Sequence, residues 1–259
     1  MLSTKKQTLF HREDLFTNGK HNYETAQPLS LAVAAATLLA ASFSPSASAE
    51  LTSREASIVP IAAFTANGNQ EQLKKALAKG LDNDLTVNEI KAVLEQMYAY
   101  TGFPRSLTAL GVYVKLLDER KAAGLKDSLG REPTPLPQGI DLHQIGTKTQ
   151  TELVGRPVAG PVYTFSPNID TYLKDHLFGA IFANDVLNRR ERELATVSAL
   201  AALPAPAQLR SHLNVCMNVG LSPEELSQFA DELKKSVGKR EGKLAQDALK
   251  VVLEARRAK

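Results

Sequence analysis

With 259 residues, the chain is long enough for one or two domains that each bury a hydrophobic core. Its formal net charge of +3 at pH 7 is too small to suggest a nucleic-acid partner. Aromatic residues make up only 6% of the chain and Trp is absent, whereas Ala and Leu are abundant, so the composition favours helix over strand.

The N-terminal segment carries the pattern of a secretory signal. Residues 29–41 form an uncharged apolar run too short to span a bilayer, and Ala47 and Ala49 follow it in the A-x-A spacing of a cleavage site. We therefore predict a signal peptide at 1–49, export to the periplasm and no membrane attachment after cleavage before Glu50. The segment before the apolar run is longer and less basic than the N-terminal region of a typical signal peptide. A disordered tail, a start codon assigned upstream of the true one and a cytoplasmic protein are therefore alternatives.

The rest of the chain carries repeated signals of helix starts. Thr52 with Glu55 and Thr86 with Glu89 have the spacing of capping boxes, and apolar residues recur between such signals at helical spacing. No long alternating strand pattern appears, so the predicted fold class is all-α. The predicted helices are 52–67, 70–80, 87–100, 103–122, 167–184, 189–203, 206–219, 223–236 and 239–257.

Residues 123–165 differ from the helical segments on either side. They include Pro133, Pro135, Pro137, Pro157 and Pro161 with several glycines, a composition typical of a linker or an arm that lies across a neighbouring subunit. The predicted organisation is therefore a first helical unit at 50–122, a linker at 123–165 and a second helical unit at 166–259.

The two helical units are related to each other in sequence. They align without a gap at an offset of 136 residues, which places Leu51 on Leu187 and Gly102 on Gly238. Helical amphipathicity could align leucines, but it would not also align Arg-Glu, Gln-Leu and Gly pairs at one offset. The sequence therefore predicts a tandem repeat.

Three segments carry a resemblance to a known family. LTVNEIKAVLEQMYAYTGFPRSLTAL at 85–110, NRRERELATVSALAAL at 188–203 and QLRSHLNVCMNVGLSPEEL at 208–226 resemble the helices of carboxymuconolactone decarboxylase-like proteins. The resemblance implies two family-type helical repeats per chain. It also implies rings of six repeats, which would make this chain a homotrimer, with a dimer as the alternative.

The family resemblance implies two branches of chemistry. One branch removes CO2 from a muconolactone, and the other is a thiol peroxidase whose motif is a Glu, a CxxC pair and a His. Glu193 and His212 fall on the Glu and His positions, whereas Ala205 and Gln208 occupy the two cysteine positions. Both redox sulfurs are therefore missing, and the chain's single cysteine excludes a CxxC pair elsewhere.

The second repeat carries the candidate catalytic residues. Gln208, His212 and Cys216 are spaced i, i+4 and i+8 on one helix face, and an antiparallel neighbour could bring Glu193 to it. We predict Glu193 and His212 as a proton-transfer pair, with Gln208 and Cys216 as substrate-binding residues. The alternatives are a purely structural polar pair and, for Cys216, a small buried apolar residue. In the first repeat, the equivalent positions hold Ser57 and Ala76.

Further substrate-binding residues are predicted from the first repeat and from arginines. Tyr100 and Arg105 are candidates for the rim of the pocket, and Arg105 or Arg190 could hold a carboxylate or lactone oxygen. Because Arg190 and Glu191 recur in both repeats, structural ion pairing is the favoured role for them. No HxxxH or HxH spacing exists, so we predict no metal and no cofactor.

Three functions compete at this point. The favoured one is a cofactor-free lyase acting on a small lactone or carboxylic acid. The second is a peroxidase-type oxidoreductase, which the missing CxxC pair argues against. The third is a non-catalytic exported binding protein, favoured by the predicted signal peptide because aromatic-acid breakdown is normally cytoplasmic.

Overall fold

A computed structural model describes residues 50–258 of the chain. The predicted signal peptide, 1–49, lies outside the described residues. The described part contains helices and no β-strand, which confirms the all-α prediction. The helices are α1 Ser53–Asn67, α2 Gln70–Asp82, α3 Val87–Ala122, α4 Leu142–Val154, α5 Pro161–Phe165, α6 Pro167–Thr171, α7 Arg189–Ala202, α8 Pro206–Asn218, α9 Pro223–Ser236 and α10 Lys239–Arg257, with a π-helical segment Tyr172–Ile181 that continues from α6.

The two helical units have matching helix boundaries. α1, α2 and α3 begin 136 residues before α7, α8 and α9, respectively. Within α3 the backbone breaks at Gly102, whose φ of 78° lies in the left-handed region that favours glycine. The equivalent residue, Gly238, separates α9 from α10. The predicted helices 87–100 and 103–122 are therefore the two halves of α3.

The core lies around α1 and α7, which pack against each other at the centre of the molecule. Both helices are buried on nearly every face, because small and apolar residues occupy all sides of them. Ile58, Ile61, Leu194 and Val197 are completely buried. After the first two residues of α7, a polar side chain therefore lies in the interior, whichever face of the helix carries it.

Ion pairs join the two units at the starts of α1 and α7. Arg54 lies 2.6 Å from Glu89 of its own unit and 3.3 Å from Glu191 of the other unit. Arg190 binds Glu225 and Glu55 in the equivalent way, at 2.6 and 3.1 Å. The structural ion pairing predicted for Arg190 and Glu191 is confirmed: Arg190 pairs within its own unit and with the first unit, and Glu191 pairs with Arg54 of the first unit.

The segment predicted as a linker contains α4, a helix that the predicted list omitted. Asp141 caps its start by accepting a hydrogen bond from the backbone N–H of Gln144 at 3.0 Å, and Gly155 ends it with a φ of 80°. The surrounding prolines and glycines dominate the composition of 123–165 and conceal this short helix. The segment 141–165, which contains α4 and α5, is called the arm below.

The arm is fixed against the second unit. α4 crosses the π-helical segment at Gly146 and Gly179, where the backbones approach so closely that a Cβ on Gly146 would lie 1.7 Å from the carbonyl oxygen of Lys174. At the end of α4, the side-chain amide of Asn218 donates a hydrogen bond to the carbonyl oxygen of Leu153 at 3.0 Å. The arm is therefore packed onto the second helical unit of its own chain.

The second half of α3 exposes an apolar stripe. Phe103, Leu107 and Val114 are 60%, 61% and 58% exposed, and their spacing places them on neighbouring turns of one helix face. Along the described residues, no helix combines the length and the apolar character needed to cross a membrane.

Candidate functional site

A cavity of about 420 Å³ lies between the arm and the helices of the second unit. It is called the arm cavity below. Its walls come from α3, the arm, the π-helical segment, α7 and α8, and they combine apolar with polar side chains. The polar side chains that line it are Tyr100, Gln150, Arg156, Tyr163, Glu193, Gln208, Ser211 and His212.

The structure brings Glu193 and His212 together in this cavity. Glu193 lies on α7 and His212 on α8, and Nδ1 of His212 lies 2.9 Å from Oε2 of Glu193. The Glu193 side chain is completely buried, whereas 18% of the His212 side chain is exposed. The carboxylate favours the tautomer with the proton on Nδ1, because only that nitrogen can then donate to it. Nε2 is thereby left to exchange a proton with a ligand.

The second carboxylate oxygen of Glu193 is unusual. Oε1 is buried and has no hydrogen-bond partner among the described residues. A buried carboxylate oxygen without a donor is costly, so His212 supplies the main compensation for this charge. Burial of the Glu193 carboxylate therefore depends strongly on its hydrogen bond to the His212 imidazole.

Tyr100 forms a wall beside the imidazole. Its ring meets the ring of His212 edge to face, with 6.1 Å between the centroids. Its hydroxyl oxygen lies 3.1 Å from Oγ1 of Thr196. Burial and the negative charge of Glu193 raise the pKa of Tyr100, so the side chain is a neutral phenol at physiological pH.

Buried hydrogen bonds hold the Thr196 side chain beside Tyr100. The side-chain amide nitrogen of Gln96 donates a hydrogen bond to Oγ1 of Thr196 at 3.0 Å. The Arg192 guanidinium donates to the side-chain oxygen of Gln96, Oε1, at 2.9 Å. Arg192 is only 2% exposed, and burial lowers its pKa to about 10. The first helical unit thus helps to position the cavity in the second.

Gln208 also lines the arm cavity, but Cys216 does not. A residue eight positions along an α-helix is rotated by about 80° from the first, so Cys216 turns away from the face of Gln208. Its side chain is completely buried, and burial together with the charge of Glu193 raises the pKa of the thiol. The structure does not place Cys216 with Gln208 and His212 in this cavity, and the alternative of a buried apolar residue fits its position.

Neither predicted carboxylate-binding arginine lies in the arm cavity. Arg105 lines a separate depression with Phe64 and Pro104, because the backbone break at Gly102 redirects the helix that carries it. Arg190 is occupied by its two glutamate partners. Of the two residues predicted for the rim of the pocket, the structure places Tyr100 in the arm cavity and Arg105 outside it.

Sequence reasoning missed the groups that the arm contributes. Gln150 is 4% exposed and Arg156 is exposed, and both line the arm cavity. Only the cap signals around α4, at Asp141 and Gly155, could have indicated an ordered element here. Nothing in the local sequence indicates that this element faces His212.

The described residues contain no group of three or more His, Cys, Asp and Glu side chains arranged to hold a metal ion. The absence of a metal or cofactor from the working protein stays a prediction.

The structure is therefore that of an all-helical protein with two repeated helical units, in which the second unit carries the Glu193–His212 pair. The sequence model of the carboxymuconolactone decarboxylase family matches residues 21–115 and 167–232, which together exceed half of the chain. The chain belongs to this family. The first match begins inside the predicted signal peptide, and the residues between the matches, 116–166, include the whole arm.

One curated relative is the 4-carboxymuconolactone decarboxylase of Acinetobacter baylyi (strain ATCC 33305 / BD413 / ADP1). It is 26% identical over 88 residues, and the alignment covers 32% of this chain. The aligned segment spans 66% of the relative's own length.

Proposed function

We propose that this protein is a cofactor-free lyase that acts on a small lactone or carboxylic acid in the arm cavity. The observation that carries the proposal is the Glu193–His212 pair, in which a buried carboxylate orients an imidazole that reaches the cavity. Family membership and the activity named for the Acinetobacter relative support the reaction class.

The pair fits the proton requirement of a decarboxylation. When the bond to the carboxylate carbon breaks, CO2 leaves and the electron pair stays on the substrate as an enolate. That carbanion equivalent needs one proton at carbon, and His212 would donate it from Nε2. The imidazole then regains a proton from solvent, so the cycle closes without an oxidant or a reductant.

Glu193 would act as a positioning residue for His212. Its carboxylate holds Nδ1–H and stabilises the imidazolium before the proton is transferred. The phenol of Tyr100 is a further donor in the cavity, available to a developing enolate oxygen. A low-dielectric wall strengthens both interactions, because apolar side chains make up much of the lining.

The missing sulfur chemistry argues against the peroxidase function. A thiol peroxidase needs an accessible thiolate and a resolving thiol. The one cysteine of the sequence, Cys216, is completely buried with a raised pKa. We therefore propose no redox role for it.

The test is a screen for CO2 release from a panel of small lactone acids and unsaturated carboxylic acids, measured by membrane-inlet mass spectrometry. For a substrate so found, His212→Asn should lower kcat by about 100- to 10,000-fold, the usual contribution of a general acid. Ser211→Ala, which changes a neighbouring lining residue, is the matched control and should keep most of the activity. Equal rates for parent and His212→Asn would refute the role of His212. Binding of panel members without any turnover would favour a binding protein.

A further inference from the structure

One amide side chain lines the arm cavity without a protein partner. Gln150 projects from α4, is 4% exposed and lines the cavity. No hydrogen bond joins its side chain to another residue within 50–258. Its amide therefore faces the cavity with its donors and its acceptor available to a ligand.

Arg156 follows α4 and lines the same cavity. Across the described ranges, its guanidinium has no ion pair and no hydrogen bond, and it is the single Lys or Arg side chain among the lining residues. Glu193, the one lining carboxylate, already has His212 as its partner. The cavity therefore offers an anionic ligand one uncompensated cation, with a fork of donors that matches a carboxylate.

The arm holds both groups in place. The backbone crossing of Gly146 with Gly179 fixes the middle of α4. The hydrogen bond from Asn218 to Leu153 and the ion pair between Arg189 and Glu152 fix the end of α4 that leads to Arg156. Gln150 thus lies on a helix fixed at its middle and at its end.

We propose that the arm supplies the anion-binding half of the site, in which Arg156 and Gln150 bind a carboxylate that the substrate keeps through the reaction. The inference rests on the proposed function and adds a substrate class to it: a small organic acid with an apolar body and a second, reacting group presented to His212. The arm lies between the two segments that the family model matches, so this anchor comes from residues outside the match.

The anchored carboxylate cannot be the one that leaves as CO2. Decarboxylation disperses the negative charge of the departing carboxylate into the substrate, and a cation held against that carboxylate would stabilise the ground state more than the transition state. Arg156 therefore contributes binding and orientation, and the reacting bond has to lie nearer His212.

The test uses binding of cyclohexanecarboxylate, an unreactive acid, to the full chain, measured by isothermal titration calorimetry. Cyclohexanecarboxamide is the uncharged probe of the same shape. The parent should bind the carboxylate at least tenfold more tightly than the amide. Arg156→Gln should weaken carboxylate binding by about tenfold or more, as expected for the loss of one charge-assisted hydrogen bond, and should leave amide binding within about twofold.

Two further variants make the result specific. Gln150→Leu keeps the volume of the side chain, removes the amide and should weaken carboxylate binding by about three- to tenfold. Arg105→Gln removes another arginine without an ion pair, from a different depression, and should bind as the parent does. Circular dichroism of each variant should match the parent.

Several outcomes would overturn the anchor: no carboxylate binding by the parent at 50 mM probe, equal binding of acid and amide, or parent-like binding by Arg156→Gln. The result is independent of turnover, because the probe cannot react. If the protein binds the carboxylate probe through Arg156 but shows no lyase activity, the anchor is supported and the proposed function is refuted.

Discussion

The buried Glu193 carboxylate depends on His212, and this dependence predicts how variants of the pair change the free energy of unfolding. The first repeat supplies the control, because its equivalent positions are uncharged. Ser57 and Ala76 occupy the equivalent positions there, and Oγ of Ser57 is satisfied by the Ser53 carbonyl at 2.8 Å and by Asn83 at 2.9 Å. The double change Glu193→Ser with His212→Ala therefore gives the second repeat the uncharged pair that the first already carries. The informative comparison is between this double variant and His212→Ala alone.

The magnitudes follow from burial. His212→Ala leaves a completely buried carboxylate without a partner among the described residues. Removing the hydrogen-bond partner of a buried carboxylate costs about 3–5 kcal/mol, and because the cavity admits water to the imidazole side we expect the lower part of that range, about 3 kcal/mol. The double variant removes the stranded charge and leaves a void and a lost hydrogen bond, which together cost about 1–2 kcal/mol. Adding Glu193→Ser should therefore restore about 1 kcal/mol or more to His212→Ala.

Urea unfolding followed by circular dichroism measures this difference, at one protein concentration so that any assembly affects all variants alike. The Glu193→Ser single variant completes the cycle and should be less destabilised than His212→Ala, since a neutral imidazole at the cavity tolerates the loss of its partner. A double variant as unstable as His212→Ala, or less stable, would refute the claim that Glu193 is charged and compensated by His212.

Four further predictions concern the thiol, the arm, the assembly and the N-terminus. Because the Cys216 thiol is completely buried, it should not react with a thiol reagent in the native protein at pH 8. For the same reason, the protein should not consume peroxide when a dithiol is supplied as the reductant. Peroxide turnover that Cys216→Ser abolishes would contradict this prediction. Gly146→Ala should displace the arm and lower the thermal midpoint of unfolding, because its Cβ would clash with the carbonyl oxygen of Lys174. The control, Gly111→Ala, places its Cβ in open space and should be neutral or stabilising. Equal midpoints for the two variants would refute the close backbone crossing at Gly146. Light scattering should give a trimer, in which the exposed apolar stripe of α3 is covered; a monomer at micromolar concentration would argue against it. Mass spectrometry of protein from its native host should find a chain that begins at Glu50; an intact N-terminus on soluble cytoplasmic protein would refute export.

Helix positions in the two repeats could be predicted from the sequence because their signals are local. The capping boxes at Thr52 and Thr86 mark the starts of α1 and α3, and the structure contains both. The contact of Glu193 with His212 could also be anticipated, since consecutive antiparallel helices bring their facing sides together. These features depend on residues within about 20 positions of one another, well inside one helix pair.

The remaining part of the site depends on packing between distant segments. Gln150 and His212 line the same cavity because α4 crosses the π-helical segment through Gly146, and no local sequence pattern indicates that crossing. Arg105 lines a different depression for a related reason, since the direction of the chain after Gly102 decides where it lies. Residue type alone indicated Arg105, whereas the arginine that lines the arm cavity is Arg156.

A crystal structure of the protein soaked with a small lactone acid would locate the substrate directly. We expect one ligand in the arm cavity, with its carboxylate within hydrogen-bond distance of Arg156 or Gln150 and a ring carbon next to Nε2 of His212. The same ligand should be absent from crystals of Arg156→Gln soaked at the same concentration. A ligand bound elsewhere while the arm cavity stays empty, or one whose carboxylate lies against His212 and away from Arg156, would refute the proposed site.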